Sequence, residues 1–149
     1  MNSKAIFGFL VTAALLVWGI LLGGPFYVFF DVGSGVIVVG VTGGLLVVTH
    51  GLKPTLTSLL GGLGRLLVPR RFMPWTPQEA ESAAQIASSA IRYAMLAAVL
   101  GGLIAFIAML QSLDDPTEIG PAVAVMLLCS FYALMLIALW FLPVSRRFS

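Results

Sequence analysis

The sequence predicts an all-α membrane protein with four transmembrane helices, both termini cytoplasmic, and the third span extended into the cytoplasm. Three observations predict this. The 149 residues are 60% hydrophobic and only 9% charged, with mean hydropathy +1.07; a soluble domain carries about 25% charged residues. All eight Lys and Arg residues (Lys4, Lys53, Arg65, Arg70, Arg71, Arg92, Arg146, Arg147) fall at the two ends and in one central segment. Basic residues collect on the cytoplasmic flanks of membrane helices. The connections assigned to the other side carry Asp31, Asp114, Asp115 and Glu118 and no Lys or Arg. The orientation is therefore the same at every connection, and 1–149 reads as a single membrane domain.

The first span is about 5–22. Lys4 before an apolar stretch resembles a signal peptide, but the stretch runs on to Phe30 without a small-x-small cleavage site, which predicts a retained span. Gly23-Gly24-Pro25 breaks it. The aromatic cluster Phe26-Tyr27-Val28-Phe29-Phe30 suits a membrane–water interface. Asp31 and Ser34 offer N-cap oxygens for a second span of about 33–52, which Pro54 is expected to end.

Region 53–90 reads as cytoplasmic. Leu56, Leu59, Leu60, Leu63, Leu66 and Leu67 recur at helical spacing among polar residues, the pattern of a helix lying on the interface. Gly61, Gly62 and Gly64 weaken it as an independent helix. Pro69-Arg70-Arg71-Phe72-Met73-Pro74 is an elbow. Thr76-Pro77-Gln78-Glu79 is a capping box with proline at the first helical position. Nothing breaks the pattern until Gly101, so one helix is expected over about 77–110, roughly 50 Å long. Its last part is span three, about 91–111. Ser112 to Glu118 forms an acidic outer turn. Span four is about 119–142, ended by Pro143 and anchored by Arg146-Arg147.

The chemistry available is sparse. The chain has one His, one Cys, no HExxH, no P-loop and no carboxylate pair in an apolar setting. No enzyme, cofactor or metal site is expected, and the basic residues set orientation rather than bind nucleic acid. His50 reads as an interfacial residue capping the inner end of span two, with proton relay as the other reading. Asp114-Asp115 reads as a solvated turn. Ion pathways use Asp, Glu or His at membrane depth. None lies there, so a conducting complex would need that group from another chain. Small residues line span three (Ala94, Ala97, Ala98, Gly101, Gly102, Ala105, Ala108) and span four (Ala122, Ala124, Cys129, Ser130, Ala133). Such faces allow close helix packing, either within the chain or around a central space holding a partner helix.

Several motifs resemble the MotA/TolQ/ExbB family. Ile119-Gly120-Pro121-Ala122-Val123-Ala124-Val125, Phe131-Tyr132 and Phe141-Leu142-Pro143 are similar to the last membrane helix of MotA, the flagellar stator subunit. Gly101-Gly102-Leu103-Ile104 through Met109-Leu110-Gln111-Ser112-Leu113-Asp114-Asp115-Pro116 is similar to its third helix and outer turn. Gly23-Gly24, Phe30-Asp31, Ser34 and Ile37-Val38-Val39-Gly40 resemble the approach to its second span. The resemblance implies a homopentamer in the bacterial inner membrane, surrounding single-span MotB/ExbD-like partner chains that carry the essential Asp. Ion flow, of protons or sodium, then drives motion. It also implies a pore lining of Ala98, Gly101, Gly102, Ala105, Ala122, Cys129, Ser130 and Ala133, with Gly102 facing Cys129 and Ser130.

The chain departs from the family at several places. Gly102 replaces a Thr, Cys129-Ser130 a Thr pair, Ala133 a Gly and Ala138 an Asn, and Met95 stands about where a Pro is expected. The region between spans two and three is about forty residues, taking about 20 residues per span; flagellar MotA carries a larger domain there, so the chain looks like a shortened relative. A non-conducting structural pentamer with the same fold is the competing reading. An unrelated four-span transporter subunit is a third.

Overall fold

A computed structural model describes residues 3–67, 76–111, 113–114 and 116–148. Among these, every regular element is helical: α1 Ser3–Gly23, a 3-10 turn Phe26–Phe29, α2 Val32–His50, α3 Leu52–Leu67, α4 Pro77–Gln111, α5 Pro116–Leu136, a π-helical segment Ile137–Phe141, and α6 Leu142–Phe148. Three helical stretches are long and apolar enough to cross a membrane: Phe26–His50, Pro77–Gln111 and Thr117–Arg146. Phe7–Gly23 is a shorter apolar helix. The elbow expected over 69–74 lies outside the described residues, as does Asp115.

Helix α4 organises the rest. It packs chiefly on α5 and α2, and through its first half on α3 and α6. Its buried face is almost wholly Ala, Ser and Gly, including Ala83, Ala87, Ala90, Ala94, Ala97, Ala98, Gly101 and Ala105. Small side chains let backbones approach, so dispersion contacts and close packing replace the large apolar payload of a soluble core. Against this face α2 places Val38 and Leu46, and α5 places Cys129 and Ala133. By contrast α1 touches little beyond the 3-10 turn and the π segment.

The helix expected over 77–110 is present as one 35-residue element. Its capping box forms as the sequence implies. Glu79 N–H donates to Thr76 Oγ1 at 3.3 Å, and Thr76 N–H donates to Glu79 Oε2 at 3.1 Å. Two donors left without helical partners are thereby satisfied.

Two expected helix ends are corrected. Pro54 does not end α2. The chain turns at Gly51, whose φ of +86° suits glycine, and Gly51 N–H donates to Val47 O. Pro54 falls in the first turn of α3, where its missing N–H has no helical partner to lose. Pro143 does not end the last helix either. The chain widens into a π turn just before it, with Leu142 N–H donating five residues back to Ile137 O. This change of register accommodates a proline that would otherwise clash with the preceding turn, and the helix continues to Phe148. Trp140 in the widened turn donates its indole N–H to Leu59 O at 3.2 Å, tying α3 to the end of the bundle. That tie and the packing of Leu59 on the core hold α3 helical despite its glycines.

Candidate functional site

The eight expected lining residues separate into two groups. Ala98, Gly101, Ala105, Cys129 and Ala133 are buried within the chain itself, where α4 meets its neighbours. Gly102 and Ala122 are half-buried and Ser130 is exposed. The first group forms the chain's own packing seam. The second lies on surface that its own helices leave partly or wholly open.

Gly101 shows why the seam needs small residues. A Cβ added there would stand 2.7 Å from Cys129 Sγ and 3.2 Å from Ile37 Cγ2. Three helices therefore converge on a glycine. Cys129 is fully buried and free, packed as a small apolar group. Gly102 was expected to face Cys129 and Ser130. Instead Gly101 meets Cys129, and the nearest atom to a Cβ on Gly102 would be Met126 Cγ at 3.4 Å. Consecutive helix residues point about 100° apart, so adjacent glycines serve different contacts.

Ser130 sits one residue beyond Cys129 and is exposed. Its hydroxyl lies 3.5 Å from Met126 O, a loose bond to its own helix. The Oγ is thus available to a group from outside the chain. No carboxylate of the described residues lies at this level: Asp31 and Glu118 stand at the starts of α2 and α5, and Asp114 lies in the preceding turn. Among the described residues no group of three or more His, Cys, Asp or Glu could hold a metal ion.

The start of α2 is capped by Asp31 as the sequence implies, and pinned in addition by bonds to Tyr132 that the sequence does not show. Asp31 is the N-cap, its Oδ2 accepting from Ser34 N–H at 2.7 Å and Ser34 Oγ at 2.5 Å. Asp31 N–H donates to the Tyr132 hydroxyl at 2.7 Å, and that hydroxyl donates to Phe29 O at 2.6 Å. A usable signal was present: Tyr132 is the lone phenol of span four, and a buried Tyr O–H normally finds a partner. Two polar atoms of α2 have none, Thr42 Oγ1 and His50 Nε2, both buried. His50 is the last residue of α2, but Gly51 rather than its imidazole makes the cap.

The fold and these surfaces define an all-α membrane protein built on close packing of small residues. No family model matches the chain. A 51-residue stretch is 41% identical to the chemotaxis protein PomA of Vibrio alginolyticus. The match covers 34% of this chain and 20% of the length of that relative. It supports the family resemblance carried by the motifs of the sequence.

Proposed function

We propose that the chain is an ion-channel subunit of a stator-like membrane complex of the MotA/ExbB type, acting with a single-span partner. Five copies surround the partner in a bacterial inner membrane, with α4 and α5 innermost and both termini cytoplasmic. The partial identity to a chemotaxis protein supports this at the level of family. The shorter region between α2 and α4, relative to flagellar MotA, makes it a reduced form of that subunit.

The observation that carries the reading is the exposed Ser130 within a long apolar helix. A hydroxyl at such a position faces protein or water more favourably than lipid. The partner supplies the missing carboxylate beside Ser130. Gly102 and Ala122 leave room for it and for water. The carboxylate exchanges a proton or sodium ion, and the Ser130 hydroxyl hydrogen-bonds one of its states. The test is ion flux in liposomes. The chain alone is expected to conduct nothing, and Ser130→Ala should lower partner-dependent flux while the oligomer persists. Flux from the chain alone would overturn the partner requirement.

A second reading, a non-conducting scaffold, is favoured by one observation. Five of the eight expected lining residues pack inside the chain's own seam. Unchanged flux in Ser130→Ala, with partner present, would favour this reading.

A further inference from the structure

We propose that Thr42 holds a buried water molecule in the seam between α2 and α4. Thr42 is 3% exposed, and its Oγ1 is buried with no hydrogen-bond partner among the described residues. A helical threonine has an easy way out of this position, by donating to the carbonyl four residues back. Thr12, Thr49, Thr55 and Thr57 all do so, to Gly8 O, Leu45 O, Gly51 O and Lys53 O. Thr42 does not take Val38 O. Its hydroxyl is therefore turned off its own helix, inside protein, where an unmet donor and acceptor cost free energy.

The facing helix offers no side chain to answer it. Ile37 stands against the position of Gly101, and Lys53, just past the end of α2, shares a groove with Gln78 at the start of α4. The two helices thus run antiparallel, and Thr42 comes level with Ala94, Ala97 and Ala98, all buried and all without a polar side-chain atom. Val38 and Leu46, one turn to either side of Thr42, pack in one core with Ala94 and Ala98, so the hydroxyl lies along that alanine face. There is room beside it. A Cβ added to the half-buried Gly43 would meet no atom within 4 Å. Water is the ligand that fits, since it accepts the Thr42 O–H and donates in return. Its other bonds go to backbone carbonyls, which keep a second lone pair inside a helix. The site is no part of an ion path. His50, whose Nε2 is also buried without a partner, lies eight residues on, about 12 Å away, with Leu46 fully buried between them. The inference rests on packing within the chain and not on ion conduction.

Magic-angle-spinning NMR of the full chain in lipid bilayers tests this, with water as the probe. Magnetisation from water protons should reach the Thr42 side chain several-fold faster than those of Val38 and Leu46. Thr42→Ser should keep that transfer, and Thr42→Val, which keeps the shape and deletes the oxygen, should lose it. Transfer to Thr42 no faster than to Leu46, as a hydroxyl turned back onto Val38 O would give, would overturn the site. Transfer persisting at position 42 in Thr42→Val would also overturn it, because water would then enter without the hydroxyl. Thermal unfolding gives an independent readout. Thr42→Val should melt below wild type, since it strands the water or leaves its space empty. A variant melting at or above wild type would mark the hydroxyl as dry and overturn the proposal.

Discussion

The hydroxyl of Tyr132 accepts the Asp31 N–H at 2.7 Å, across 101 residues of chain, and donates to Phe29 O at 2.6 Å. One side chain of α5 thus holds both sides of the turn that leads into α2. Asp31 in turn caps α2 through Ser34, and the Ser34 hydroxyl also lies 3.4 Å from Val125 O of α5. The start of α2 is therefore held by polar bonds to α5, while its middle is held by apolar contact with α4.

Replacing Tyr132 with Phe should cost about 1–3 kcal/mol, because an N–H and a carbonyl lose their partner together. Thermal unfolding in detergent would register the loss. Hydrogen exchange would place it, with the Asp31 amide exchanging faster and amides deep in α4 little changed. An unshifted melting temperature would remove the Tyr132 bond from the stability of the fold.

The two adjacent glycines of α4 should behave differently. Gly101→Ala drives a methyl to 2.7 Å from Cys129 Sγ and should destabilise by about 1–3 kcal/mol through overpacking. Gly102→Ala meets ordinary contact with Met126 at 3.4 Å and should be near neutral. A Gly101→Ala, Cys129→Ala double variant should recover part of the loss, since the sulfur is the obstructing atom. Equal melting temperatures for the two single variants would contradict this packing.

Thr76→Ala removes the acceptor of Glu79 N–H and should cost about 1 kcal/mol of local stability. The cap lies at the far end of a 35-residue helix, so fraying should stay local. Amide exchange should quicken in the first turns of α4 and remain unchanged near Gly101. Uniform protection along α4 in the variant would show that the box contributes nothing.

The proposed orientation is testable without any assay of function. A reporter active only in the periplasm, fused after Ser149, should stay silent, and one placed between Leu113 and Asp114 should be active. The reverse pattern would invert the topology derived from the basic residues.

Much of this protein was legible in its sequence because the signals are local. Three of the four apolar runs expected as spans, the long unbroken stretch after Pro77 and the reciprocal Thr76–Glu79 cap depend on neighbours in the chain and appear as read, while the first run is a shorter apolar helix. The end of α2 at Gly51 and the continuation of the last helix past Pro143 were harder. A proline ends a helix or stays within it depending on whether the turn before it can widen or is already ending. The partition of small residues between the seam and the open surface was not legible at all. Gly101 and Gly102 are identical in sequence, and only the approach of α2 and α5 gives them different neighbours. The same holds for Tyr132: its hydroxyl needed a partner, but which backbone groups it would join was decided by how α5 packs against the start of α2.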